Sequence, residues 1–173
     1  MFNNLVPVNR ERHGGKAIHA IDGFDFAKGF HLASLMVHEF TRAASVYPIV
    51  FVEDPNADSF RPIVLLGLDA GENLFVGSDG KWQASYIPAI IRRYPFALAR
   101  VQQDQDQFTV CVDEDSALLV DDVEGAQRLF DEAGEPGEVI ERVKRYLGEL
   151  QQMEMFTQSF CEYLASHNLF TPL

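Results

Sequence analysis

The sequence predicts an α+β fold, with an antiparallel β-rich N-terminal part packed with a long C-terminal helix or helix pair. Runs of β-branched and aromatic residues of strand length cluster before about residue 115. An apolar repeat of helical period follows in the last third of the chain. Strands and helices do not alternate, as a parallel sheet would require. The 173 residues predict a single domain, β-rich over about 1–115, with an acidic connector over about 104–135 and a helical part over about 136–167.

The strand predictions rest on two pairs of runs. Two runs are rich in β-branched residues, Tyr47–Glu53 and Arg61–Leu68. Each has a proline near its start, where the absence of a backbone N–H for the sheet is tolerated. Phe96–Val101 and Phe108–Asp113 predict a hairpin joined by a polar tract. The sequence G-S-D-G, flanked by N-L-F-V and K-W-Q-A, predicts a further hairpin.

Two short helices and one long helix are predicted. Leu35–Ala44 has helical spacing with His38, Glu39 and Arg42 facing outward, and a second short helix covers Ile87–Tyr94. From Pro136 to about His167 an apolar stripe follows one helical face. Its members are Val139, Val143, Tyr146, Leu150, Met153, Phe160 and Leu164. This stripe predicts a core face or, alternatively, a homodimer through the helix, and a break near Gly148 or Thr157 would give a helix pair.

The charge is strongly acidic and unevenly distributed. The formal net charge is −12, and residues 104–135 hold eleven acids and one base, Arg128. Such a surface repels phosphate, so no nucleic-acid partner is expected. The acidic segment is interpreted as a solvated, loop-rich face or as a docking surface for a basic partner or a cation.

Neither a targeting segment nor a metal site is expected. The N-terminus lacks a basic region followed by an apolar one, and no apolar run approaches the ~20 residues of a membrane span. Cys111 and Cys161 are interpreted as reduced thiols, so we expect a cytoplasmic protein. The five histidines lack metal-ligand spacing, and no nucleophile motif is present. We therefore predict no metal, no cofactor and no catalytic residue.

The aromatic and arginine residues after Gly80 form the candidate binding site. They are Trp82, Tyr86, Arg92, Arg93 and Tyr94. Aromatic walls with arginine at the mouth suit a peptide or a terminal carboxylate, which the guanidinium fork binds through two hydrogen bonds. The alternative is that the rings belong to the core and the arginines pair with the acidic segment.

The same region carries a family resemblance. Glu72–Leu98, the opening L-V-P-V-N-R-E-R-H-G and the run Y-P-I-V-F resemble the bacterial SapC-like family. That family is associated with surface layers and peptide transport, and its members recur near flavin-dependent halogenase-like and cupin-like proteins. The resemblance supplies no catalytic residues. The family pattern continues past such a helical region, so the chain is expected to lack a C-terminal segment of the family.

Three functions follow as expectations. The first is a soluble, non-catalytic accessory module that binds a peptide or protein. The second is an enzyme or enzyme subunit working with a redox or tailoring partner, in which polar groups such as His13, His19, Arg61 and Glu72 converge. The third is a surface-layer component.

Overall fold

A computed structural model of the protein describes residues 2–54, 59–101 and 104–172. Its strands are β1 (Leu5–Pro7), β2 (Lys16–Ile18), β3 (Leu32–Ser34), β4 (Ile49–Asp54), β5 (Ser59–Leu65), β6 (Phe96–Val101), β7 (Asp104–Asp113), β8 (Leu119–Asp121) and β9 (Gln127–Arg128). Its α-helices are α1 (Arg10–His13), α2 (Phe40–Ala43), α3 (Ala89–Arg92) and α4 (Glu138–Ser166), and 3-10 turns cover Asp25–Ala27 and Val37–Glu39. The predicted α+β class is confirmed.

The described strands form three antiparallel sheets, which belong to two compact units. The first unit consists of Met1–Asp22 and Arg93–Glu149, and the second of Gly23–Arg92 and Leu150–Leu173. The sheets β1-β7-β6 and β8-β2-β9 belong to the first unit, and the sheet β3-β5-β4 to the second. That the chain forms a single domain stays a prediction.

The first unit contains the predicted hairpin of β6 and β7. Phe96 pairs with Val112 and Leu98 with Val110, while β1 lies on the other side of β7. β7 begins at Asp104, so part of the predicted polar tract is strand, and residues 102–103 lie outside the described residues. The acidic segment was expected to be loop-rich, but it also supplies β8 and β9, which flank β2. β8 is three residues long and β9 is two, which is too short for an alternation signal.

The second unit is built on the sheet β3-β5-β4. The predicted strands at 47–53 and 61–68 are present as β4 and β5, paired in register from Ile49 and Val64 to Asp54 and Ser59. The sequence D-P-N-A-D-S between them predicts a turn, and its residues 55–58 lie outside the described residues. The hairpin predicted around G-S-D-G is reduced to one bridge between Val76 and Trp82, with Gly80 at a positive φ of 76°.

The core of the second unit combines small and aromatic residues. Its buried members are Ala27, Ala33, Leu35, Ala43, Tyr47, Val64, Leu66 and Ile91. The helix predicted at 35–44 is present as a 3-10 turn followed by α2. One expectation for this helix was wrong, because Glu39 faces inward and is 1% exposed.

Helix α4 is one continuous helix of 29 residues, not a helix pair. In its predicted stripe Val139 and Leu150 are buried and the other members are half-buried, whereas Ile140, Leu147 and Cys161, which the prediction did not include, are also buried. Thr157 lies on the same buried face and does not break the helix. A homodimer through α4 stays a prediction. None of the described helices is both long enough and apolar enough to cross a membrane.

Candidate functional site

Trp82 lies half-buried against the core of the second unit. Its ring meets Phe24 edge-on at 5.5 Å and stacks on Phe75 at 6.3 Å between centroids. Its indole N–H lies 2.9 Å from the Tyr47 hydroxyl and 3.0 Å from the Tyr86 carbonyl oxygen, and it donates to both. The Tyr47 hydroxyl in turn donates to the Tyr86 carbonyl. The indole N–H of Trp82 is therefore already hydrogen-bonded within the second unit.

Tyr86 is anchored by a buried carboxylate. Its hydroxyl donates to Glu39 Oε1 at 2.5 Å, and Glu39 also accepts the backbone N–H groups of Met36 at 2.9 Å and Ala89 at 2.8 Å. The guanidinium carbon of Arg92 lies 5.9 Å from the centroid of the Tyr86 ring. Glu39 thus ties the segment around Tyr86 to the 3-10 turn that it ends, which explains why this acid faces inward.

Both tyrosines are held in the neutral form. Burial raises the pKa of Tyr86 to about 12, and the hydrogen bond to Glu39 and its negative charge add to the rise, against an opposing effect of Arg92. Burial likewise raises the pKa of Tyr47 to about 12, against the hydrogen bond from Trp82. Neither phenol is poised to give up a proton near neutral pH.

The other two predicted residues, Arg93 and Tyr94, belong to the first unit. Tyr94 is buried, and its ring stacks on Phe2 at 6.0 Å. The guanidinium carbon of Arg93 lies 5.5 Å from the same Phe2 ring. The structure therefore brings Trp82, Tyr86 and Arg92 together in one unit, and Arg93 and Tyr94 together in the other.

The first unit also holds a cluster of charged groups around the start of the chain. Asp113 is fully buried and accepts the backbone N–H groups of Asn3 at 3.1 Å and Asn4 at 2.9 Å. The neighbouring Glu114 meets Arg12 at 2.6 Å and buried His13 at 3.2 Å. These pairs fasten the N-terminal segment beside β7. Within the described parts of the chain, no three or more His, Cys, Asp or Glu side chains are grouped to hold a metal.

The four polar residues that were expected to converge in an enzyme belong to different units. His13 and His19 belong to the first unit, and Arg61 and Glu72 to the second. An enzymatic role stays a prediction.

A groove in the second unit was not foreseen from the sequence. It has a volume of about 650 Å³ and runs between β4 and the segment after α4. Its lining residues are Ile49, Val50, Phe51, Val52, Glu53, Phe60, Leu164, Leu169, Phe170, Thr171 and Pro172. Phe170 stacks on Phe60 at 4.1 Å and lies 5.0 Å from Phe51, so aromatic rings form part of the lining.

One wall of this groove is the edge strand of a sheet. Among the described strands, β4 pairs with β5 only. Leu65 N–H donates to the Pro48 carbonyl, so the alternation of an antiparallel ladder turns the backbone groups of Ile49, Phe51 and Glu53 away from β5. In the sequence, the groove corresponds to two apolar runs, I-V-F-V at 49–52 and L-F-T-P at 169–172, which lie more than a hundred residues apart.

Comparison with known proteins gives a family. The comparisons with curated proteins and with solved structures found no match. A family model described as SapC matches residues 8–173, which is nearly the whole chain. This confirms the resemblance carried by the segment Glu72–Leu98. The chain therefore belongs to the SapC family.

Proposed function

We propose that this SapC-family chain is a peptide- or protein-binding module whose ligand adds as a strand to β4. The observation that carries the proposal is the coincidence of an open strand edge with an apolar groove. The outward backbone groups of Ile49, Phe51 and Glu53 offer hydrogen bonds to an extended chain. Strand addition of this kind takes affinity from the main chain and specificity from pockets for alternate side chains.

The dimensions and chemistry of the groove support an extended ligand. Six residues of β4 extend about 20 Å at the usual rise of a strand. The lining is mainly apolar and includes Phe51, Phe60 and Phe170. Burying apolar side chains of a ligand there contributes about 25 cal/mol per Å², in addition to the ladder bonds. A small polar metabolite would leave most of this surface unmatched.

The predicted aromatic and arginine site supports the same function less well. The indole N–H of Trp82 and the hydroxyl of Tyr86 are already engaged by groups of the second unit. A ligand at this position would compete with those bonds. A receptor formed by Trp82, Tyr86 and Arg92, with Arg93 and Tyr94, stays a prediction, as do cytoplasmic localisation and a role in a surface layer.

The test is selection from a library of random heptapeptides displayed on phage, followed by measurement of Kd for the enriched peptides. Leu169 lines the groove and is 60% exposed. Leu169→Asp places a charge where an apolar ligand side chain would be buried, so we expect Kd to rise at least about tenfold. Because the side chain is exposed, the variant should fold.

The matched control is Leu68→Asp. Leu68 is an exposed leucine of the same unit, 85% accessible, and it does not line the groove. Its variant should bind the enriched peptides as the natural chain does. Equal binding by Leu169→Asp and the natural chain would refute the groove as the site. Arg92→Ala, assayed in parallel, would then show whether the aromatic and arginine residues bind the peptides instead.

A further inference from the structure

The geometry of the groove points to a ligand of defined chemistry, an extended segment with a basic residue followed at alternate positions by two apolar residues. We propose that it pairs antiparallel to β4 with the basic side chain opposite Glu53. This inference rests on the proposed function and specifies its ligand. It follows from the register of β4, from the composition of the groove and from the charge of one residue.

The register of β4 decides which ligand residues enter the groove. Ile49, Phe51 and Glu53 share one face of the sheet, because side chains alternate along a strand. Phe51 lies opposite Pro62 and Glu53 opposite Phe60, so Phe60 shares that face. Residues of an added strand that stand opposite Ile49, Phe51 and Glu53 present their side chains to the same face, at every second position.

Two of these three positions are apolar. A ligand side chain opposite Phe51 meets a surface that Phe170 and Phe60 extend. The side chain opposite Ile49 lies beside the same apolar lining. Apolar ligand residues are therefore favoured at both positions. An antiparallel ladder is slightly more stable than a parallel one, and the three described sheets are antiparallel.

The third position is acidic. Glu53 is the charged residue among the described lining of the groove, and its side chain is exposed. No described cation lies within salt-bridge distance of its carboxylate. The chain as a whole carries a formal charge of −12, which also favours a cationic partner. In antiparallel pairing the residue opposite Glu53 precedes the one opposite Phe51, which gives the order basic, any, apolar, any, apolar.

The probe is a labelled peptide, Thr-Lys-Thr-Phe-Thr-Val-Thr, compared by fluorescence anisotropy with the same peptide carrying Glu in place of Lys. For the natural chain we expect the Lys peptide to bind about fivefold more tightly, the upper range for a partly exposed ion pair. Glu53→Lys should invert this preference. About 1 M NaCl should reduce it, because salt screens exposed charges.

A second pair of peptides tests the backbone pairing. Methylation of the Phe amide nitrogen removes a donor that faces β4, so Kd should rise about tenfold. Methylation of the Thr that follows Phe alters an amide that faces away, and Kd should change little. Equal effects of the two methylations would overturn strand addition in this register.

The matched control for the charge is Glu154→Lys, which changes the net charge equally at an exposed position of the same unit outside the groove. It should leave the preference for the Lys peptide unchanged. Equal binding of the Lys and Glu peptides to the natural chain would overturn the inferred selectivity while the proposed function stands. Failure of both peptides, while library peptides still bind at the groove, would overturn the inferred sequence pattern alone. If library peptides also fail to bind at the groove, the proposed function is refuted together with the inferred sequence pattern.

Discussion

Glu39 lies in an environment that its sequence context does not indicate. Helical spacing placed it outward beside His38, yet it is buried and accepts three hydrogen bonds, from Met36, Tyr86 and Ala89. Two of these donors lie about fifty residues away in the sequence. Periodicity describes a helix in isolation and contains no information about such distant donors, which is why this carboxylate could not be predicted.

The raised pKa of Tyr86 predicts a loss of stability in alkali. The folded phenol has a pKa of about 12, above its ordinary value of 10.0, so the unfolded chain ionises first. Its stabilising contribution is complete below pH 10 and is lost as pH rises towards 12. In Tyr86→Phe we therefore expect a smaller fall in the free energy of unfolding between about pH 9 and about pH 11. Urea unfolding followed by the fluorescence of Trp82, the single tryptophan, measures it.

Tyr163→Phe is the control, because Tyr163 is 58% exposed on α4. It should show the same pH dependence as the natural chain. If Tyr86→Phe loses as much stability in alkali as the natural chain does, the phenol of Tyr86 is not held neutral by its surroundings.

At the scale of the element, helix α4 shows that a polar residue can belong to a buried stripe. Thr157 is one of the two positions near which a break would turn the predicted helix into a helix pair. In the structure its hydroxyl donates to the Met153 carbonyl at 2.7 Å and accepts the Val37 backbone N–H at 3.0 Å. The hydroxyl thus satisfies a backbone donor that helix α4 covers, and the helix continues through this position.

Thr157→Val should therefore destabilise the second unit although the two side chains have nearly the same shape. The variant leaves the Val37 N–H without its acceptor, which costs about 1–3 kcal/mol. Urea unfolding gives the loss, and hydrogen exchange of the Val37 amide should accelerate. Thr157→Ser keeps the hydroxyl and should preserve the slow exchange of this amide. Unchanged exchange in Thr157→Val would contradict the role of the hydroxyl.

At the scale of the whole molecule, the sequence predicts the fold class but not the contacts between residues that are far apart in the chain. The clustering of strand patterns before the helical third sufficed for the α+β class. The strands β4, β5, β6 and β7 were predicted as separate runs, and a hairpin was predicted for β6 and β7. The pairing of β1 with β7 joins residues more than a hundred positions apart, such as Leu5 and Asp113, and local patterns do not encode it. The groove could not be predicted for the same reason, since β4 and Phe170 are also more than a hundred residues apart in the sequence.

The net charge predicts that salt stabilises the protein. A formal charge of −12 destabilises the compact state through self-repulsion, which dissolved ions screen. We expect the free energy of unfolding to rise between about 10 mM and about 0.5 M NaCl. The double variant Asp115→Asn and Glu124→Gln removes two exposed acids and should reduce the increase. A fall in stability with added salt would show that the ion pairs of Lys16 and Arg128 outweigh the repulsion.

The open edge of β4 also carries a hazard. An unpaired strand with apolar neighbours is a template for aggregation, in which further copies of the chain stack through their own edges. Glu53 and Asp54 place two acids at the end of this strand, and like charges on two copies oppose such stacking. Glu53, which we propose selects a cationic ligand, would then also oppose aggregation of the protein while no ligand is bound to the edge of β4.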